Sequence, residues 1–382
     1  MILPGASLGV LGGGQLGRMF AVAARRMGYR VVSWDPDPSS PAKDFSSVHI
    51  DAGFEDKDGL EYFLKHVQAV TTEFENVPAE TLRKLSERLR VVPSAESVAV
   101  CQDRIREKTF LYNAGVPVPA FVPVFEENDL EKAFEQTGAP ALLKRSRWGY
   151  DGKGQALVQG PGDAVLAFDA WGKVPCILEQ RVPFSHEISI ILAKNGKGEI
   201  RSFPIAENRH SHGVLETTAV PAQISGKSAE TAMRLSEIIV AKLAYQGILA
   251  IEFFVLPDGS VLVNELAPRP HNSGHFTLDA CMTDQFEQQV RVLCGLPLGE
   301  TQLISPAVMG NIMGDLWKEG DPDWSIPLAE EGLKLHLYGK ATARPGRKMG
   351  HFTILDPNIG KALERARSIL LKLARNKTRS GG

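Results

Sequence analysis

The stretch "GILAIEFFVLPDGSVLVNELAPRPHNSGH", residues 247–275, carries the most information in the chain. Two apolar runs flank "PDGS", a strong hairpin-turn signal. Whether the loop is Asp258-Gly259 or the whole of Pro257 to Ser260, the register is the same. Leu256 faces Val261, Phe254 faces Val263 and Glu252 faces Glu265. Two glutamates opposed on one sheet face stand roughly 4.5–5.5 Å apart at Cβ. Like charges that close, among apolar neighbours with little water, are destabilising. A shared proton or a bulge would relieve the conflict, and so would a divalent cation, which keeps both charges. Oxygen ligands with no His or Cys beside them suit Mg²⁺ or Mn²⁺, shared with a phosphate.

A second signal lies upstream in "ALLKRSRWGYDGKGQ", residues 141–155: a strand carrying Lys144, then a loop with Gly149, Gly152 and Gly154. The spacing is not that of a Walker A loop, and Gly154 stands where Ser or Thr is required. The physical logic is related all the same. A strand lysine reaches phosphate oxygens, and a glycine loop can close over them with backbone N–H groups. An ordinary surface hairpin would use the same residue types.

The N-terminus offers a third glycine signal, "VLGGGQLGRM", with Gly12-x-Gly14-x-x-Gly17 between a strand and a helix. Such a turn lets backbone approach an anionic ligand at a helix N-terminus. Alone it leaves open a dinucleotide cofactor, another ligand, or a plain strand-to-helix turn. Asp35, at the end of the next apolar run, suits either a ribose hydroxyl or local turn chemistry before Pro36.

The chain of 382 residues exceeds one ordinary domain. Its 43 basic and 45 acidic side chains give no global field for nucleic acid. Four scattered cysteines without a C-x-x-C pair fit reduced thiols in the cytoplasm. No basic n-region precedes the glycine turn, and no run of about 18 apolar residues suggests a membrane span. Residues 7–100 alternate strand and helix ("SLGVL", "QLGRMFAVAARRMG", "YRVVSWD", "GLEYFLKHV", "QAVTTEF"), which implies a parallel, doubly wound sheet. "CQDRIREKTFLYNAG" reads as one helix and "VPVPAFVPV" as a proline-rich connector. Hairpin strands and two longer helices follow to about residue 300, then three short strands and an amphipathic helix, "KALERARSILLKLA". The expected divisions are 1–105 (α/β), 106–300 (α+β) and 301–382 (small C-terminal domain).

Strand lysine, glycine loop and carboxylate hairpin behind a glycine-turn α/β domain together resemble the ATP-grasp superfamily. Within it the chain is similar to the N5-carboxyaminoimidazole ribonucleotide synthase family, through "LGGGQLGRM", "TTEFENVP", "YDGKGQ", "ENRHSHGVL", "NELAPRPHNSGH", "LYGK" and "RPGRKMGH". The resemblance covers nearly the whole chain. One departure is the lack of an Asn just after the metal glutamate, a ligand in some superfamily members. The resemblance implies carboxylation of 5-aminoimidazole ribonucleotide with bicarbonate, driven by ATP through carboxyphosphate, in a cytoplasmic homodimer that binds neither nucleic acid nor membrane.

It also implies roles. ATP is held by Arg104, Lys144, the loop Gly149, Tyr150, Asp151, Gly152, Lys153, Gly154 and Gln155, and by Glu179, Gln180, Arg181 and Val182 along the adenine. Glu187 binds ribose, with His210, Asn264 and Glu265 nearby, and Glu252 and Glu265 hold Mg²⁺ or Mn²⁺. Gly14, Gln15, Leu16, Glu73, Lys340 and Arg347 take the imidazole nucleotide, so the glycine turn serves a substrate and no dinucleotide. Tyr150, Lys153, Arg269, His271, Asn272 and Lys340 act at the reacting centre, with Arg269 able to grip bicarbonate bidentately. Other expectations stay open: a formate-using glycinamide ribonucleotide transformylase, a biotin carboxylase, a dinucleotide-dependent oxidoreductase, or a catalytically silent nucleotide-binding module.

Overall fold

The computed structural model describes residues 1–149 and 152–375. In chain order the first five strands are β1 (Ser7–Leu11), β2 (Arg30–Trp34), β3 (Val48–Ile50), β4 (Ala69–Thr72) and β5 (Arg90–Val91). They form a parallel sheet in the order β3-β2-β1-β4-β5. That order reverses direction after β1, as the strand-helix alternation predicted. Helix Gln15–Arg26 buries Leu16, Met19, Phe20, Ala23 and Ala24 along one stripe. That stripe belongs to a core that also holds Phe286 and Val290 of helix Gln285–Cys294. Trp34 packs on Phe63 on the opposite sheet face, at 5.2 Å between ring centroids.

A smaller antiparallel sheet contains β6 (Phe121–Val124), β7 (Ala141–Arg145), β8 (Gln155–Val158) and β9 (Cys176–Gln180), ordered β6-β9-β7-β8. The expected connector at 116–124 therefore holds a strand. Pro123 is tolerated there because β6 is an edge strand.

The largest sheet comprises β10 (His186–Lys194), β11 (Ile200–Ser202), β12 (Ala206–Ser211), β13 (Val214–Val220), β14 (Gly247–Val255), β15 (Val261–Ala267), β16 (Ala307–Met313), β17 (Leu333–Leu337) and β18 (Lys348–Leu355). Its path is β15-β14-β10-β12-β13-β16-β18-β17, with β11 beside β10. The last three strands thus extend the central sheet across residue 300, through β13 pairing with β16. Helix Ile359–Arg375 covers this extension, burying Ala362, Ala366, Ile369 and Leu373 against Phe352 and Ile354.

Two further expectations change. The helix read across 101–115 is two, Ala95–Cys101 and Arg104–Asn113. Asp103 interrupts it as an N-cap, accepting from the N–H groups of Ile105 and Arg106 at 3.1 and 3.2 Å. The hairpin also differs near its tip, where Val255 pairs with Val261 and Phe254 with Leu262. The loop is three residues, Pro257 to Gly259, closed by Leu256 N–H to the Ser260 carbonyl at 2.8 Å. Gly259 supplies the left-handed conformation such a loop needs, at φ +83°.

Candidate active site

A bulge restores the register that the hairpin loop displaced. Phe253 pairs with Val263 while Glu252 pairs with Glu265, so Asn264 is the extra residue. The bulge turns Asn264 and Glu265, neighbours in sequence, onto one cavity wall with Glu252. Burial, then the charge of Glu265, pushes the Glu252 carboxyl up to about 7. Glu265 goes the other way, to about 2: burial opposes its charge, but the Arg104 guanidinium 2.9 Å away outweighs burial. Asn264 Nδ2 donates to Glu252 at 3.3 Å, and its buried Oδ1 has no partner among the described residues. Among those residues no group of three or more His, Cys, Asp or Glu gathers as a metal site. Two carboxylates and an orphaned amide oxygen are a hard donor set of the kind Mg²⁺ or Mn²⁺ accepts, with room for phosphate oxygens.

Lys144 projects from β7 into the same cavity and pairs with Glu179 of β9. Glu179 also meets Lys108 at 3.3 Å, and although its burial opposes ionisation, the two lysines hold it at about 2. Glu187 on β10 accepts from His210 on β12 at 2.7 Å. Burial opposes the imidazolium of His210, but this bond and the nearby glutamates raise its pKa. Gly149, Gly152, Lys153 and Gln155 line the cavity. Gly152 lies against the turn at Gly213, both glycines having positive φ. Tyr150 and Asp151 lie outside the described residues. Phe184 stacks on Phe254, centroids 4.8 Å apart and planes within 9°, giving the wall an apolar end.

The glycine turn is already occupied. Gly14 and Gly17 donate their N–H groups to the two carboxylate oxygens of Glu73, at 2.6 and 2.7 Å. Gly13 donates to Asp35 at 2.7 Å. The protein's own carboxylates thus fill the place a dinucleotide pyrophosphate would take. Beside the turn, Arg269 Nε meets Glu75 at 2.6 Å and its Nη1 donates to the Pro270 carbonyl at 3.0 Å. The Nε edge is therefore committed within the protein, which narrows the expected two-pronged grip on bicarbonate. His271 Nδ1 accepts from the Ser273 N–H at 3.3 Å, which leaves the ring proton on Nε2, 3.7 Å from Glu252. Burial, Arg269 and Lys348 lower this imidazole to about 3. Asn272 is buried, and neither amide atom has a partner among the described residues. Lys340 donates to the Lys348 carbonyl at 2.7 Å and Arg347 to the Thr342 carbonyl at 2.7 Å, flanking one turn at the cavity mouth.

All three parts of the chain therefore wall one cavity of about 750 Å³. The ATP-grasp domain family matches residues 109–286, the ribonucleotide synthetase preATP-grasp domain 6–102, and the phosphoribosylaminoimidazole carboxylase C-terminal domain 307–365. The N5-carboxyaminoimidazole ribonucleotide synthase of Brucella melitensis is 42% identical over 358 residues, covering 93% of this chain and 97% of that protein. The chain belongs to the N5-carboxyaminoimidazole ribonucleotide synthase family. It is an ATP-dependent ligase of purine biosynthesis. The Staphylococcus aureus N5-carboxyaminoimidazole synthetase complexed with ADP superposes with a TM-score of 0.91 at 34% identity, covering 96% of this chain and 98% of that one. The Aspergillus clavatus N5-carboxyaminoimidazole synthase in complex with ADP and 5-aminoimidazole ribonucleotide gives 0.88 at 29% identity, covering 97% and 99%.

Against this family background, most expected site residues meet on the cavity wall. Gly14, Gln15, Leu16, Glu73, Arg104, Lys144, Glu187, His210, Asn264, Arg269, His271, Asn272, Lys340 and Arg347 all line it. Gly154, Glu179, Gln180, Arg181 and Val182 do not. Glu179 is turned inward by its two lysines, while Gln180 and Arg181 face outward. Family membership also overturns the oxidoreductase alternative, in keeping with the filled turn. Missed from sequence were Glu75, Glu107, Lys108, Phe184, Phe254 and Lys348. "ENVP" next to Glu73 and "GRK" next to Arg347 were the available signals for Glu75 and Lys348. The two phenylalanines gave none.

Proposed function

We propose that the cavity holds ATP, bicarbonate and 5-aminoimidazole ribonucleotide together, with the nucleotide end at Lys144, Glu187 and the carboxylate hairpin. The ribonucleotide end lies at Gln15, Glu73, Lys340 and Arg347. Bicarbonate oxygen attacks the γ-phosphorus, the bond to the β-phosphate oxygen breaks, and carboxyphosphate and ADP form. The exocyclic amine then takes the carboxyl carbon, phosphate leaves, and the amine loses a proton. Mg²⁺ or Mn²⁺ on Glu252 and Glu265, with Asn264 beside them, would neutralise charge on the β- and γ-phosphates. Lys144 and Lys153 hold phosphate oxygens, and Tyr150 and the glycine loop keep water from the labile intermediate. Arg269, held by Glu75, offers Nη2 to bicarbonate. His271 offers its Nε2 proton, and Asn272 its unpartnered amide.

The opposed glutamates carry this reading. Their charge conflict, one carboxyl raised and the other depressed, fits a site completed by a cation and phosphate. The same reading takes the working molecule as a cytoplasmic homodimer, on family resemblance. Among the described residues no helix is long and apolar enough to cross a membrane. The test is ADP release measured with and without the ribonucleotide and bicarbonate. Stimulation by both, lost in Glu252→Gln and in Glu265→Gln with the fold intact, is the expected result. Full activity of either variant at limiting Mg²⁺ would refute the metal assignment.

A further inference from the structure

The strand that carries Glu265 is the last of its sheet, so its outer backbone groups have no neighbouring strand to bond. Groups buried in that position must find partners elsewhere. Three are met from outside the sheet. Val263 donates its N–H to the Pro117 carbonyl at 2.8 Å. Leu266 donates its N–H to the Glu107 carboxylate, and the Asn264 carbonyl accepts from Lys108 Nζ at 2.7 Å. Glu107 and Lys108 lie three and four residues beyond Arg104 on helix Arg104–Asn113, hence on one helix face. Arg104 itself reaches the Glu265 carboxylate at 2.9 Å. One helix face thus grips Asn264, Glu265 and Leu266 in turn, around the bulge.

The bulge sets what those residues can do. Without the extra residue, β15 would slip by one, and a one-residue slip turns a side chain to the other sheet face. Glu265 would then leave Glu252. Glu107 and Lys108 are respectively 2% and 0% exposed, a costly placement for ionisable groups unless their bonds are needed. Burial raises the Glu107 carboxyl to about 8, so a neutral side chain with an acceptor oxygen reproduces its form near neutrality. Lys108, through Glu179, also braces Lys144.

We propose that Glu107 and Lys108 are positioning residues for the glutamate pair, holding the bulge so that Asn264 and Glu265 both face the nucleotide. The proposal rests on the reading of Glu252 and Glu265 as cation ligands. Mn²⁺ binding to the full chain in the presence of ADP, followed by electron paramagnetic resonance, tests it, with metal-free ADP binding measured in parallel. Glu107→Met removes the acceptor from Leu266 at similar length. It should raise the Mn²⁺ dissociation constant on the order of tenfold, the weight of one orphaned buried donor. Metal-free ADP affinity should stay within about twofold, and Glu107→Gln should restore Mn²⁺ binding to within about threefold of the parent. Should the methionine variant fail to fold, Lys108→Met, which fills the space without donating to Asn264, must show Mn²⁺ affinity falling more than ADP affinity. Unchanged Mn²⁺ binding, equal loss of ADP and Mn²⁺, or a Gln variant no better than Met overturns the positioning role. Glu265→Gln separates the two ideas: if it too leaves Mn²⁺ binding unchanged, the cation reading fails rather than the clamp.

Discussion

The chain has two glycine-rich segments after a strand, and they do opposite things with the same chemistry. At 12–17 the N–H donors of a helix N-terminus are spent on Glu73 and Asp35, inside the protein. Gly149 and Gly152 of the second segment stand beside Lys144 and Lys153 on a cavity wall that includes Glu187, Glu252 and Glu265 of the largest sheet. The first segment is a joint closed by Glu73, which on the proposed placement also faces the ribonucleotide. On the same placement the second would be a cover that meets the ATP phosphates with its own backbone. Glycine spacing alone does not separate the two; what lies opposite the donors does.

The contrast breaks most easily through the glycines themselves. Gly12→Ala would place Cβ 2.2 Å from Glu73 Cγ, at φ +98°. Strain and overpacking together should cost about 2–5 kcal/mol in urea unfolding. Gly152→Ala meets its nearest atom at 3.4 Å and has φ +74°. It should cost only about 1–2 kcal/mol, with a higher KM for ATP. Equal destabilisation by both would erase the distinction between joint and cover. Next in size, Lys144→Ala should raise the ATP dissociation constant by the equivalent of about 1.5–3 kcal/mol, read by calorimetry. Affinity for the ribonucleotide should hold.

Glu73→Ala frees the N–H groups of Gly14 and Gly17. Stability should fall by about 1–3 kcal/mol, and added inorganic phosphate should recover part of it. No recovery would mean the turn is not an anion cradle once emptied. The smallest effect is expected at the cavity mouth. Arg347→Ala should raise KM for the ribonucleotide by the equivalent of about 1 kcal/mol, a partly exposed charge contact, with KM for ATP unmoved. His271→Ala should impair bicarbonate-dependent ADP formation instead. Equal effects of both changes on both substrates would dissolve the proposed division of the cavity.

The parallel sheet, the strand lysine and the glutamate pair were legible because each is written in local pattern: alternation, a glycine loop, a turn signal. The glutamate pairing was right although the register beside the loop was not. The three-residue loop shifts the pairs by one, and the bulge at Asn264 shifts them back. A bulge has no sequence signature of this strength, since it is held by Glu107 and Lys108 from more than 150 residues away. Separation in sequence also hid Glu75 behind Arg269 and Lys108 behind Glu179. Such pairs depend on where elements pack, which periodicity does not encode. The helix break at Asp103 could have been seen, because an aspartate preceding "RIREK" is an N-cap signal that the apolar pattern masked.

The sheet that runs unbroken from β15 to β17 has a mechanical consequence. Glu252 and Glu265 sit at one end of that ladder, and Lys340 and Arg347 leave it at the other, so their separation is fixed by strands 4.7–4.9 Å apart. Lys144 and the glycine cover ride on the separate sheet β6-β9-β7-β8. Shearing the first platform would break backbone bonds strand by strand, whereas no ladder joins the second sheet to it. On the proposed placement of ATP and the ribonucleotide, the spacing between the cleaved phosphate and the waiting amine would be a property of that continuous sheet.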